Sequence, residues 1–169
     1  MAKTLAICGL GGSGCEILDL SLRINAVNNR FADIVFVDKS EHEAEFRGYK
    51  VYAMDELESD FAPDDLEFVI SVGDVYLREK IYKEIQSYGY QMTNLIAPSV
   101  SVPESTTVGE GVIIRDFCYL SVDACIGANA LIQPNTCIGH NVTVGEHSII
   151  SAQSVIAGGT QIGNRVFIA

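Results

Sequence analysis

Between Ile96 and Ile168 every sixth residue is aliphatic: Ile96, Val102, Val108, Ile114, Leu120, Ile126, Ile132, Ile138, Val144, Ile150, Ile156, Ile162 and Ile168. Four places after each stands a small or modest side chain, in the series Val100, Thr106, Val112, Cys118, Ala124, Ala130, Thr136, Val142, Ser148, Ser154, Thr160 and Val166. An α-helix repeats its apolar face near 3.6 residues and a strand near 2. A strict six fits neither. It predicts a hexapeptide solenoid, in which each short strand is followed by a turn and a strand on the next face. Three hexads close one triangular coil, so the aliphatics stack in interior columns at 96/114/132/150/168, 102/120/138/156 and 108/126/144/162. The expected architecture is a left-handed parallel β-helix. An antiparallel sandwich would instead alternate with period 2 and drift in spacing.

The first part of the chain has a different pattern. Thr4–Cys8 is a short apolar run, read as a buried strand. Gly9-Leu-Gly11-Gly12-Ser13-Gly14 follows, then a helical stretch over Cys15–Asn25 and a second strand, Ile34–Val37, that ends at Asp38. Strand, glycine loop, helix, strand and acid form the opening unit of a nucleotide-binding fold. The glycines permit a tight turn and let backbone N–H groups at a helix N-terminus face phosphate. Asp38 is placed to accept hydrogen bonds from a ribose or base. Ser40–Arg47 reads as a charged loop, Tyr49–Ala53 as a short strand and Met54–Asp65 as acidic turns or helix. Phe68–Val72 is a third strand, ending in Gly73-Asp74, and Leu77–Tyr88 is a helix. Pro98 and Pro103 mark the passage into the repeats. The reading is therefore two domains. Residues 1–95 form a Rossmann-like α/β domain and residues 96–169 the β-helix. The first is short for a full dinucleotide domain.

Charge narrows the partners. The net charge is −11; residues 1–95 carry 9 basic and 17 acidic side chains, residues 96–169 only 2 and 5. With no basic patch, binding to nucleic acid is not expected. The opening MAKTLAICGLGG is too short and glycine-broken for a secretion signal, and no stretch approaches a membrane span. Five cysteines without a CxxC spacing point to reduced thiols in a cytoplasmic protein, with neither metal nor disulfide frame.

His140 follows Ile138-Gly139 directly, just past an interior aliphatic, where it can point outward from a solenoid face; His147 falls at a turn and His42 in the charged loop. Taken together, Gly9–Gly14 with Glu16, the strand ending at Asp38, Ser71-Val-Gly73-Asp74 with Arg78, Asn94-Leu-Ile96-Ala-Pro98 and Cys137-Ile-Gly139-His140-Asn-Val-Thr-Val144-Gly145 span nearly the whole chain. In these motifs it resembles the NeuD/PglD type of sugar acetyltransferases, which act on sialic acid or on UDP-linked 4-amino sugars.

The resemblance implies acetyl-CoA as co-substrate, no metal, a homotrimer with sites between adjacent solenoids, and His140 as general base. It also implies that the acceptor's nucleotide is held by Gly9, Gly11, Gly12, Ser13, Gly14, Asp38, Gly73 and Asp74. Gly145, Gly158 and the ninth residue after His140 would meet the coenzyme. That ninth residue is a histidine in the family and Ile149 here. Asn141 stands where the family usually has an acid, and orients the imidazole through its amide oxygen. The repeats run to Ala169 without a polar cap, and the resemblance implies further hexads that hold much of the coenzyme site.

The repeat itself adds one inference. The residue eighteen places after His140 stacks above it at roughly 4.8 Å and is Gly158, whose N–H would face a thioester carbonyl. Histidine, with an ordinary pKa of about 6.5, suits the base role at neutral pH. A non-enzymatic alternative is a nucleotide-sugar-binding trimer whose solenoid only assembles, favoured by Asn141 and Ile149. A zinc hydratase on the same solenoid would need three metal histidines, and only His140 and His147 are offered.

Overall fold

In a computed structural model, which describes residues 2–38 and 44–169, the two patterns form two packed units. Of the stretch Ser40–Arg47, read above as a loop, residues 40–43 lie outside the described residues, and Glu45–Phe46 forms a short strand. Strands β1 (Lys3–Cys8), β2 (Phe31–Asp38), β3 (Glu45–Phe46), β4 (Tyr49–Ala53), β5 (Leu66–Ile70) and β6 (Gln91–Met92) make one sheet in the order β3-β4-β2-β1-β5-β6. Every pairing is parallel except β3 with β4. Side chains of β1 are buried on both faces, which is why that strand reads as a continuous apolar run. The strand order reverses between β1 and β5, so the crevice expected for a ligand opens at their carboxyl ends.

The elements differ from the sequence reading at the loop edges. Helix α1 spans Gly12–Asn28 and starts three residues before Cys15, inside the glycine loop, where low helix propensity hid it. After the short helix α2 (Leu57–Asp60), β5 stops at Ile70 instead of Val72. The cause is Ser71, whose Oγ donates to the carbonyls of Cys8 and Gly9 at 2.8 and 3.0 Å and ties the strand end to the loop. Helix α3 spans Val75–Ser87 and starts early because the Asp74 carboxylate caps it, accepting from the N–H groups of Tyr76 and Leu77.

The repeats build the left-handed solenoid. Leu95–Ile96, Ile113–Ile114, Leu131–Ile132, Ile149–Ile150 and Phe167–Ile168 form its first face. Tyr119–Leu120, Cys137–Ile138 and Val155–Ile156 form the second; Thr107–Val108, Cys125–Ile126, Thr143–Val144 and Gln161–Ile162 form the third. All pairs are parallel and eighteen residues apart, including the entry, where Leu95–Ile96 pairs with Ile113–Ile114. The aliphatic columns are interior, with Ile114, Ile132, Ile138 and Ile150 fully buried. Small polar residues are tolerated beside them because each finds a carbonyl, three places back for Ser154 and Thr160 and fifteen places on for the others. Thr106 bonds Ser121 O, Cys118 bonds Gln133 O, Thr136 bonds Ser151 O and Ser148 bonds Gly163 O.

A second period of six runs through the turns. From Gly111 to Arg165 every sixth residue is left-handed, with φ between 54° and 75°. Glycine, Asn and Asp fill six of these places (Gly111, Asp123, Asn129, Asn135, Asn141 and Gly159), as that conformation favours.

The α/β domain covers the first face. Ile113, Leu131 and Ile149 point out of the solenoid into one buried cluster with Leu95, Ala97, Ile17 and Leu18. Ion pairs flank it: Arg23 grips Asp116 through both guanidinium nitrogens at 2.7 and 2.8 Å, Arg115 meets Glu16, and Arg165 meets Glu79. The corner between the second and third faces is therefore the one farthest from the α/β domain of the same chain.

Candidate active site

The glycine loop is shaped for an anion. The first ladder bond of α1 runs from Cys15 N–H to Gly11 O, which leaves the N–H groups of Gly12, Ser13 and Gly14 outside the ladder. No side chain caps this end and no acid stands in its first turn. Gly9 and Gly11 have φ of 105° and 90°, and a side chain on Gly9 would strike Ser71 Oγ. Space beside Gly11 and Gly12 is open. Next to the loop, at the carboxyl ends of the strands, lies a cleft of about 230 Å³ walled by Val37, Met54, Val72, Leu77 and Ile81, with Asp38 at its edge. Leu10 N–H donates to Asp38 Oδ2 at 3.3 Å, so this carboxylate also steadies the loop. A wider hollow of about 410 Å³, at 58–63 and Tyr90, lies at the opposite, amino-terminal end of the strands and has none of these N–H groups.

The second group sits at the corner between the second and third faces. His140 is exposed there. Its Nδ1 lies 2.9 Å from Asn141 Oδ1. An amide oxygen only accepts, so Nδ1 carries the proton and Nε2 keeps its lone pair. The ring edge lies over Gly158: a Cβ there would fall 2.5 Å from Nε2. The glycine eighteen places on is thus what lets the imidazole lie in this position. Gly159 N–H bonds His140 O at 2.8 Å, but among the described residues Gly158 N–H has no backbone acceptor. The equivalent turn N–H two hexads earlier, on Glu146, is satisfied by the side chain of Asn164. Nε2 and the Gly158 N–H therefore offer a proton acceptor and a donor side by side.

Four expected site residues have structural duties. Gly14 is buried, and a Cβ there would sit 2.5 Å from Gly9 O, so it serves close helix–strand packing. Asp74 uses its carboxylate to cap α3. Gly145 lies beneath Gly163 of the next coil, where a Cβ would meet the carbonyl at 2.4 Å. The expectation for Ile149 is corrected. It is 2% exposed and packed between the domains, out of reach of a coenzyme. His147, expected at a turn, stands in one with φ 60°. It is buried at the corner between the third and first faces, with Nδ1 3.0 Å from Asn129 Nδ2, so it cannot act with His140 on one ligand. Among the described residues no group of three or more metal-ligating side chains occurs, and no helix is long and apolar enough to cross a membrane.

Sequence reasoning underused Arg78, which is fully buried and, among the described residues, has no carboxylate partner. It donates to Ile70 O and Val72 O in the α/β domain and to Asn129 O and Oδ1 in the solenoid. Burial pulls its guanidinium down to about 9, which still leaves it charged at neutral pH. The left-handed period was the available signal for Asn129.

An α/β domain with a crevice at its strand ends, joined to a hexapeptide solenoid with an exposed imidazole at its corner, defines the class. Residues 4–85 match the family model of the PglD N-terminal domain, and residues 124–158 that of the bacterial transferase hexapeptide (six repeats). In domain content and order the chain is similar to the PglD/NeuD type. It is similar in fold to the acetyltransferase domain of PglB from Neisseria gonorrhoeae FA1090, with TM-score 0.64, 22% identity and coverage of 99% of this chain and 91% of that one. It is also similar to a GDP-perosamine N-acetyl transferase from Caulobacter crescentus, solved with CoA and GDP-perosamine. There the TM-score is 0.77, identity 21% and coverage 97% and 84%. WeeI from Acinetobacter baumannii AYE gives TM-score 0.62, 15% identity and coverage of 99% and 95%. A search of curated proteins gave no match.

Proposed function

We propose that the protein transfers an acetyl group from acetyl-CoA to the amino group of a nucleotide-linked sugar. The observation that carries this reading is His140, held by Asn141 in the tautomer that leaves Nε2 free, with its ring edge on Gly158. Nε2 accepts a proton from the attacking amine as nitrogen bonds to the thioester carbonyl carbon. The Gly158 N–H donates to the oxygen as it becomes negative. Collapse breaks the carbon–sulfur bond, and the proton on Nε2 goes to the leaving thiolate. The glycine loop and the N-terminus of α1 hold the diphosphate, and the cleft beside Asp38 takes the nucleoside. This crevice favours a nucleotide-linked acceptor over free sialic acid. The resemblance to a complex with GDP-perosamine supports the same choice.

The two halves of the site lie on opposite sides of one solenoid, so the working unit takes them from two chains. The second face supports this reading. Its outward residues Tyr119 and Val155 are 60% and 77% exposed, and Phe117 and Val122 beside them are exposed as well. Closing three chains about this face is a heterologous ring. It sets the His140 corner of one chain against the Arg115–Glu16 edge of the next, near the start of that chain's α1.

Gly11→Val tests the crevice. Branched carbon would enter the open space in front of the helix N-terminus, in a backbone conformation valine resists. KM for a UDP- or GDP-linked 4-amino sugar is expected to rise on the order of tenfold or more, a loss of about 1.4 kcal/mol of binding. KM for acetyl-CoA is expected to hold. An unchanged nucleotide-sugar KM would move the acceptor elsewhere. Binding of the nucleotide sugar by the unaltered protein with no acetyl transfer would favour the non-enzymatic alternative.

A further inference from the structure

We propose that Arg78, Asn129 and His147 are positioning residues, which hold the lip of the nucleotide crevice on the solenoid and do so only while His147 is neutral. The proposal rests on the reading of that crevice as the acceptor site.

The geometry fixes every proton in this cluster. Arg78 Nη1 donates to Ile70 O at 2.7 Å and Val72 O at 3.0 Å, the end of β5 and the start of the lip that runs through Gly73. Nε and Nη2 donate to Asn129 O at 3.2 and 2.9 Å, and Nη2 also to Asn129 Oδ1 at 2.8 Å. The guanidinium sets the Asn129 amide with its oxygen toward Arg78. Its nitrogen then donates to Arg78 O at 3.2 Å and to His147 Nδ1 at 3.0 Å. Nδ1 must therefore be bare, and His147 is the neutral tautomer with its proton on Nε2. A proton on Nδ1 would set N–H against N–H and place a second cation near the buried guanidinium of Arg78.

The groups facing His147 are Arg78, Glu79 and Tyr82 from α3 and Glu146 and Arg165 from the solenoid. Tyr82 is in turn bonded to Glu110. Desolvation outweighs the two carboxylates and holds the imidazole below its ordinary value. The sign follows. The junction has its full hold above a pH of about 6.5 and loses it as acid protonates His147.

Hydrogen exchange of the full-length protein tests this without any ligand. Wild type and His147→Gln are compared at each pH, which cancels the intrinsic pH dependence of exchange. Near pH 8 the two are expected to match at 70–74 and 127–131. Near pH 5.5 wild type should exchange on the order of fivefold faster or more in both segments, the lower end of common coupling energies. Equal exchange at both pH values would overturn the proposal. Histidine NMR of the wild type guards against a variant that does not fold: His147 should titrate below the ordinary value, and titration at or above it would also overturn the proposal. In turnover assays, acidification should raise the nucleotide-sugar KM more in wild type than in the variant, a split that a merely structural role would not produce. If exchange behaves as expected and no acetyl transfer is found, the clamp stands and the functional reading falls.

Discussion

His140→Ala should lower acetyl turnover by about 10²–10⁴, the usual contribution of a positioned general base. The nucleotide-sugar KM should change little, because the crevice that holds the acceptor lies at the far side of the solenoid and shares no residue with the His140 corner. A loss in kcat with KM unchanged is the pattern for a group that acts only in the transition state. The side chain is exposed and packs against nothing that depends on it for stability, so the thermal midpoint should hold. Asn141 and Gly158 sharpen the expectation. The amide oxygen fixes the ring without adding charge, and the glycine leaves room for it. Unchanged turnover in steady-state assays of the variant would remove His140 from the mechanism.

Ile138→Asp should unfold the solenoid. Ile138 is fully buried in the middle of its column, between Leu120 and Ile156. The change forfeits about 1.5–3 kcal/mol of apolar burial and adds several kcal/mol for an unpaired buried carboxylate. Together these rival the roughly 5–15 kcal/mol that holds a typical domain folded. The burial also raises the carboxyl's pKa, so the variant should recover part of its stability as pH falls and the group becomes neutral. Circular dichroism melts at neutral and acid pH check both parts. A wild-type melt at neutral pH would mean that the side chain does not face the interior.

The solenoid was legible because its physics repeats. One interior column position recurs every six residues, so an error at one hexad is outvoted by its neighbours. The pairing of His140 with Gly158 followed from the same arithmetic. The glycine loop was legible in kind but not in detail. Composition cannot tell Gly11, which faces open space, from Gly14, which a carbonyl crowds at 2.5 Å. Asp74 looked like a ligand contact because it ends a strand motif, while its carboxylate caps the next helix. Ile149 and His147 were out of reach for another reason. Which solenoid face the α/β domain covers is a tertiary fact, and it buries the first beside Leu131 and the second against Asn129 and Tyr82. Arg78 stood in a recognised motif, yet three of its five hydrogen bonds cross to Asn129, 51 residues away, a distance no local pattern reports.

The central claim is that the crevice of one chain serves the His140 corner of its neighbour. Mixing chains carrying Gly11→Val with chains carrying His140→Ala tests it most directly. His140→Ala alone is expected to be nearly inactive, and Gly11→Val alone, with nucleotide sugar well below KM, to keep on the order of a tenth of the wild-type rate or less. Unfolded and refolded together, or co-expressed, they should form mixed assemblies in which some interfaces join an intact crevice to an intact His140. Acetyl transfer to the nucleotide sugar should then return to a substantial fraction of the wild-type rate. Activity that stays at the level of the separate variants, in assemblies shown by mass to contain both chains, would contradict the account.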